Sequence, residues 1–377
     1  MNSPPRVAID VTPLAAIQTG IGRSVADLLR ALADLDDAPL VRPYAISTRA
    51  RREREQLPEN TVIIPGAGAL ASMWARADRP RIDRSLDGAT VLHATNYLIP
   101  PSKLPTLATI NDCSLVRHRS FCTPAVQALE PVVRRAIERG VSIHVPSQFV
   151  ADEVEDIYGP RLAANGRLHV VAYGVPAVSP AGPLPAEIAR FSPFAERRPF
   201  LLSIGTLEPR KNHAHLIAAF GEVASSDADL WLVLAGPDGI ARPEIDATIQ
   251  RLPATIAERV VLTGPISEPS KSWLLRNAEA LCFPSVYEGF GFPILEAMSV
   301  GTPAIAARAG SLPEIGADAV AYVDATDETT IIAAVTKVRS DDAERARLVR
   351  RGFERSSEFS WHRCAQTIND CYQQLDS

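Results

Sequence analysis

Two glutamates, Glu288 and Glu296, bracket a glycine turn in the stretch Phe283-Pro-Ser-Val-Tyr-Glu288-Gly-Phe-Gly-Phe-Pro-Ile-Leu-Glu296-Ala-Met. The apolar run Glu279-Ala-Leu-Cys-Phe-Pro predicts a short buried strand ending at Pro284, then a glycine loop, then a helix that holds Glu296. Gly289 and Gly291 permit unusual backbone angles and close ligand approach, so the amides opening that helix can point at an anion or a sugar hydroxyl. A carboxylate on each side of an amide-lined turn suits a ligand rich in hydroxyls and phosphates. Taken singly, such glycines are ordinary turn chemistry and a helical glutamate is ordinarily solvated.

A second chemical signal is Gly205-Thr-Leu-Glu-Pro-Arg210-Lys211-Asn, directly after the strand-like Phe200-Leu-Leu-Ser-Ile. Two adjacent cations at the carboxyl end of a strand can neutralise a diphosphate and stabilise the negative charge that develops as it leaves. The plainer reading of an Arg-Lys pair is a solvated turn. Near the start, Thr19-Gly-Ile-Gly-Arg23 separates the strand Arg6-Val-Ala-Ile-Asp10-Val from an amphipathic helix that opens at Ser24, so Gly20 and Gly22 occupy a strand-to-helix loop. A third glycine is missing and no acidic residue stands at the usual distance, which disfavours a dinucleotide fingerprint.

The Tyr-Glu-Gly-Phe-Gly-x-Pro-x-x-Glu-Ala context and the Glu-Pro-Arg-Lys-Asn loop resemble the retaining GT-B glycosyltransferases of family 4. The resemblance is strong from about 200 to 323, through Ala309-Gly-Ser-Leu-Pro-Glu314, and holds in outline before that. It implies that Arg210 and Lys211 take the diphosphate of a nucleotide-sugar donor and that Glu296 holds the ribose hydroxyls. Glu288 with the amides of Gly289, Phe290 and Gly291 would hold the sugar, and the backbone around Gly264 and Ile266 the base. Gly20 and Gly22 would face the donor from the first half. Two departures stand out: Thr206 replaces the arginine that many relatives carry after the loop's first glycine, and Asn111, in Leu107-Ala-Thr-Ile-Asn111-Asp112, replaces the usual histidine. Asparagine can donate and accept hydrogen bonds but cannot carry charge. Either the sugar differs at that corner or His93 or His118 supplies the contact.

The elements that must position these groups read as an α/β chain. Short apolar segments at Leu40–Ile46, 61–64, 90–93, 106–110, Ser142–Val145 and 167–171 alternate with helical stretches such as 124–139 and 147–158, where Ser147 serves as N-cap. That alternation predicts a parallel sheet covered on both faces. After a proline-rich stretch, 174–199, the pattern restarts with strands near 200–205, 229–235 and 259–263 and helices near 212–223, 243–251 and 271–277. The resemblance adds the architecture: GT-B, two facing Rossmann-like doubly wound domains with a deep cleft between them. The expected division is an acceptor-binding domain over 1–190, a donor-binding domain over 197–360, and a terminal helix, about 361–377, crossing back onto the first.

Composition bounds the rest. With 377 residues, 46% hydrophobic and 22% charged, the chain can bury two cores, and its net charge of -5 argues against a general nucleic-acid binder. No signal segment opens the sequence and no window approaches the roughly 18 apolar residues of a membrane span, so a soluble cytoplasmic protein is expected. Five cysteines without Cys-x-x-Cys spacing fit a reducing compartment. Asp34-Leu-Asp36 and Asp227-Ala-Asp229 have the spacing of a metal clamp but sit where helices end, so they read as turn carboxylates. No metal and no other cofactor is expected. The run Arg49-Ala-Arg-Arg-Glu-Arg54 reads as a solvated helix face, with peripheral membrane contact at the inner face left open.

The function expected is retaining transfer of a hexosyl unit, mannose from GDP-mannose first, to a saccharide or lipid-linked saccharide in surface polysaccharide synthesis. Retention without an evident nucleophile implies a front-face mechanism in which the departing phosphate assists the incoming hydroxyl. The alternatives are rhamnosyl, glucosyl or N-acetylglucosaminyl transfer from a dTDP- or UDP-sugar, a nucleotide-sugar epimerase or hydrolase, and a non-catalytic sugar-nucleotide-binding partner. Oligomeric state leaves no trace in the sequence.

Overall fold

In a computed structural model, which describes residues 4–15, 20–47, 54–86 and 88–377, the apolar runs become strands of two parallel sheets. The first sheet holds β1 (Arg6–Asp10), β2 (Leu40–Ile46), β3 (Val62–Ile64), β4 (Val91–Ala94), β5 (Thr106–Thr109), β6 (Ser142–Val145) and β7 (Leu168–Val170), in the order β3-β2-β1-β4-β5-β6-β7. The second holds β8 (Phe200–Ile204), β9 (Trp231–Ala235), β10 (Val260–Gly264), β11 (Ala280–Phe283), β12 (Ala304–Ala307) and β13 (Val320–Val323), in the order β10-β9-β8-β11-β12-β13. Each order is doubly wound and reverses once, between β1 and β4 in the first sheet and between β8 and β11 in the second. Loops at the carboxyl ends of the two strands beside a reversal diverge and leave a crevice, which is where such sheets bind ligands.

The chain divides into two compact units, residues up to Gly174 with Phe359–Ser377, and Val175–Glu358. Central strands are buried on both faces, as parallel sheets require; Val7, Ala8, Ile9 and Leu202 are wholly inaccessible. The helix expected over 124–139 is broken: it runs as Pro124–Gln127 and Glu130–Glu138, because Pro131 can sit only in the first turn of a helix. Ser147 caps the helix Gln148–Tyr158 as expected, accepting from the Val150 amide. Gly20 and Gly22 are not loop residues. The helix starts at Gly20 and runs to Ala33, so both glycines lie in its first turn and Gly22 is buried. Thr19 and residues 49–53 of the basic run lie outside the described residues.

The terminal helix, Trp361–Asp376, belongs to the first unit. Tyr372 on this helix bonds His93 Nδ1 at 2.6 Å, His93 Nε2 bonds Thr109 Oγ1 at 2.8 Å, and Thr109 Oγ1 bonds His144 Nδ1 at 2.9 Å. His144 Nε2 reaches the Val171 carbonyl at 3.0 Å, so one buried chain of hydrogen bonds crosses β4, β5 and β6. Burial holds His93 down to about 3 and His144 down to about 4, which keeps both neutral. His93 is therefore a structural tie between sheet and closing helix. It is fully buried and both its nitrogens are engaged, so it cannot stand in for a histidine at position 111.

Candidate functional site

In the second unit, three neighbouring strands end on glycines that pack backbone against backbone. Gly205 follows β8 with φ +146°, Gly236 follows β9 with φ +151°, and Gly264 ends β10 with φ +73°. A Cβ on Gly236 would collide with the Gly205 carbonyl, and one on Gly205 would press the Lys211 side chain at 3.2 Å. The close packing clears a path for the loop after β8. Pro209–Lys211 form a single tight turn, and Asn212 takes the left-handed conformation with φ 58°, which asparagine tolerates better than most residues. Its Nδ2 donates to the Ala325 carbonyl at 2.7 Å, and the helix His213–Ser226 begins directly after it.

This turn meets the loop after β11. Arg210 Nη1 lies 2.7 Å and Lys211 Nζ 2.6 Å from the same oxygen of Glu288, Oε1. Arg210 also pairs with Glu208 Oε2 at 2.9 Å, and its carbonyl accepts from the Val286 amide at 2.8 Å. The Lys211 ammonium lies 4.4 Å from the centre of the Phe283 ring. Lys211 is 7% and Glu288 8% exposed. Burial, aided by the adjacent Arg210 charge, pushes Lys211 down to about 8 against the pull of Glu288. Burial works to raise Glu288, but Arg210 and Lys211 outweigh it and hold the carboxyl below its ordinary value. At neutral pH both partners are charged. His213 is also buried; desolvation, with Lys211 beside it, lowers it to about 4, so it adds no charge.

The glycine loop is clamped from behind. Gly310, with φ +57°, lies so close that a Cβ there would meet the Glu288 carbonyl oxygen at 2.6 Å. Ser311 donates its amide and its hydroxyl to the Glu288 carbonyl, both at 3.0 Å, and its hydroxyl also lies 2.7 Å from the Phe290 carbonyl. Gly291 turns at φ 122° into the helix Phe292–Ser299. Gly289, Phe290 and Gly291 are thus fixed between the Arg-Lys turn and the Gly-Ser clamp.

Glu296, on that helix, is 2% exposed, and its Oε1 is held at 2.5 Å by the Lys271 ammonium. Lys271 also reaches Glu268 Oε2 at 2.9 Å. Gly264 ends β10 and Ile266 lies in the turn between it and the helix Glu268–Asn277, next to this triad in sequence. Sequence reasoning missed Lys271. The missed signal is its spacing: Lys271, Leu274 and Leu275 share one face of that helix, so a lysine there must be buried and partnered.

Asn111 belongs to the first unit, in the loop after β5 and next to the loop after β4. Its Oδ1 accepts from Tyr173 Oη at 2.7 Å and its Nδ2 lies 3.4 Å from the Thr95 carbonyl, while Thr95 Oγ1 donates to the Asp10 carbonyl at 2.8 Å. His118, the other candidate, stacks on Phe121 with ring centres 5.1 Å apart. Asp227 pairs with Arg339 at 2.6 Å and Asp229 with Arg198, each at a turn. Among the described residues no three His, Cys, Asp or Glu side chains gather as a metal site.

Thus two side-chain clusters form in the second unit: the half-buried Arg210 and buried Lys211 on Glu288, beside the reversal of a doubly wound sheet, and Lys271 on Glu296. Two such parallel-sheet units are the GT-B glycosyltransferase architecture. The solved structure of sucrose-phosphate synthase from Thermosynechococcus elongatus superposes with a TM-score of 0.75 at 20% identity, covering 99% of each chain. Anabaena HepE in complex with UDP-glucose superposes with a TM-score of 0.73 at 16% identity, over 98% of this chain and 99% of that one. Residues 185–355 match the model of the glycosyl transferases group 1 family. It is 28% identical over 284 residues to O-antigen chain mannosyltransferase B of Escherichia coli, spanning 74% of this chain and 73% of that protein. It is 29% identical over 282 residues to the MMP alpha-(1->4)-mannosyltransferase of Mycolicibacterium hassiacum, spanning 70% of this chain and 64% of that enzyme. The chain is a glycosyltransferase.

Proposed function

We propose that this glycosyltransferase moves a mannosyl unit from GDP-mannose to a saccharide or lipid-linked saccharide, with retention and without a metal, in the synthesis of a surface glycoconjugate. The observation that carries the reading is the convergence of Arg210 and Lys211 on one Glu288 oxygen, at 2.7 and 2.6 Å, at the carboxyl edge of a doubly wound sheet. A cation pair held ready at fixed distance needs no reorganisation when a diphosphate begins to leave, and preorganised charge of this kind is the largest ordinary source of rate acceleration. Mannosyl transfer is favoured because the relatives from Escherichia coli and Mycolicibacterium hassiacum are both mannosyltransferases.

In this reading Arg210 and Lys211 take the diphosphate, while Glu288 and the clamped amides of Gly289, Phe290 and Gly291 orient the sugar. Glu296 takes the ribose hydroxyls, and the backbone at Gly264 and Ile266 meets the base. Within the first unit, Gly20, Gly22 and Asn111 are the candidates for ligand contact. The acceptor hydroxyl attacks the anomeric carbon on the face the diphosphate leaves and gives its proton to the departing phosphate oxygen, so no side chain serves as general base. A lipid-linked acceptor brings the enzyme to the inner membrane face as a peripheral protein; among the described residues no helix is long and apolar enough to cross a membrane.

The test is a panel of GDP-mannose, UDP-glucose and dTDP-rhamnose offered with saccharide and lipid-linked acceptors, the product anomer read by proton NMR. Transfer from GDP-mannose with retained configuration is expected. Donor turnover without acceptor would favour an epimerase or hydrolase, and donor binding with no transfer to any acceptor a non-catalytic partner.

A further inference from the structure

Among the buried charged residues of the second unit, the mechanism above leaves Lys271 without a task. Lys271 is 4% exposed, lies on the inward face of the helix Glu268–Asn277, and bonds Glu296 Oε1 at 2.5 Å and Glu268 Oε2 at 2.9 Å. A lysine placed there must carry its ammonium out of water, which is costly unless the charge is paired. Glu296 is buried to 2% exposure and faces the same problem with the opposite sign. Each solves the other's, and the Glu268 side chain, about two-fifths exposed, supplies the second carboxylate that completes the lysine's pairing.

We propose that Lys271 is a positioning residue for donor binding: it fixes the rotamer in which the Glu296 carboxylate meets the ribose diol. The proposal rests on the reading that Glu296 binds ribose. An ionised acceptor makes hydrogen bonds to hydroxyls about twice as strong as a neutral one, and a carboxylate pinned through one oxygen loses little further freedom on binding. Lys271 itself touches no donor atom. Its two carboxylates come from different helices, Glu268 two residues beyond Ile266 and Glu296 five residues beyond Gly291. The ammonium therefore also ties the segment assigned to the base to the helix that opens at the sugar loop.

Calorimetric titration of the full chain with GDP and with 2′,3′-dideoxy-GDP, repeated with UDP and 2′,3′-dideoxy-UDP, separates the possibilities. In the native protein the ribonucleotide should bind about tenfold or more tightly than its dideoxy counterpart, the scale of hydrogen bonds to a charged group. E296Q should lose most of that preference, and K271M should lose it to a similar extent while binding the dideoxy nucleotide nearly as the native protein does. K271R, which keeps the charge, should restore part of it, and E268Q should keep it. A general loss of packing would weaken both nucleotides together and leave the ratio unmoved, and that result in K271M overturns the proposal. If K271M keeps the native ratio while E296Q loses it, Lys271 has no positioning role and the ribose reading stands. If E296Q itself keeps the ratio, the ribose reading fails and the proposal fails with it.

Discussion

Lys211 and Glu288 lie 77 residues apart in sequence and 2.6 Å apart in space, both almost wholly buried. The contact exists because β8 and β11 are adjacent strands on either side of the point where the sheet order reverses, so the loops leaving them face each other. Removing one partner from such a pair strands the other's charge in the interior, at a cost of about 3 to 5 kcal/mol. The pair thus joins the stability of the second unit to its chemistry.

Lys211 is held near 8, so its charge is lost as pH rises through that value. The kcat/KM profile for transfer should fall above pH 8 along a single-proton limb. In K211R, whose guanidinium stays protonated to above about pH 12, that limb should vanish whatever the residual rate. A native profile flat to pH 10 would contradict the assignment. Glu288 is held below its ordinary value, so no acid limb from it is expected above pH 5.

Gly310 approaches the backbone of Glu288 too closely for any side chain and turns through positive φ. G310A should therefore displace the sugar loop, raising donor KM and lowering kcat, with about 1 to 3 kcal/mol of lost stability confined to the second unit. S311A removes hydroxyl contacts to the Glu288 and Phe290 carbonyls and should act in the same direction, more weakly. Steady-state kinetics with a thermal melt reads both. Native kinetics in G310A would show that the clamp does not shape the site.

Asn111 carries an uncharged amide oriented by the Tyr173 hydroxyl at 2.7 Å. The native rate should accordingly show no titration from this corner between pH 5 and 8. N111H should introduce one near pH 6.5, the ordinary imidazole value. Y173F, by releasing the amide, should weaken donor or acceptor binding by roughly fivefold, about 1 kcal/mol for one hydrogen bond. If N111H behaves as the native enzyme at every pH, Asn111 is remote from the reaction.

The first unit should be acid-labile. His93 and His144 are held near 3 and 4, while an unfolded chain takes up protons from about pH 6.5 downward, so stability present above 6.5 is lost progressively as pH falls. Asp10 works the other way: burial raises it to about 6 despite its Thr12 hydrogen bonds, so it favours the fold as pH drops from 6 toward 4. Two histidines outweigh one aspartate. Thermal melts should show the first unit losing several kcal/mol between pH 6.5 and 4, and D10N should lose more over the same range than the native protein. A first unit that gains stability on acidification would refute the balance.

The doubly wound halves were legible because strand and helix each leave a local period, and Ser147 announces a cap at a single position; Pro131 carried the signal of a break that the reading of one helix over 124–139 passed over. Arg210, Lys211, Glu288 and Glu296 were legible because their loops combine cations, carboxylates and glycines in one compact pattern. Three features were not. The start of the first helix at Gly20 runs against glycine's poor helix propensity, which tertiary packing overrode. The Lys271 pairing and the Gly310-Ser311 clamp depend on which strands become neighbours, and no local pattern records that order. His93 looked like a spare imidazole because a single buried residue gives no sign of the Tyr372 hydroxyl arriving 279 residues later.

The most direct test of the central claim, that Lys211 and Arg210 hold the leaving diphosphate, is the single-turnover rate of hexosyl transfer by K211M under saturating donor. The methionine keeps the apolar stem against Phe283 and removes the charge, and circular dichroism verifies the fold. The account predicts a loss of about a hundredfold to a thousandfold in rate. A folded K211M that transfers sugar at the native rate would contradict it.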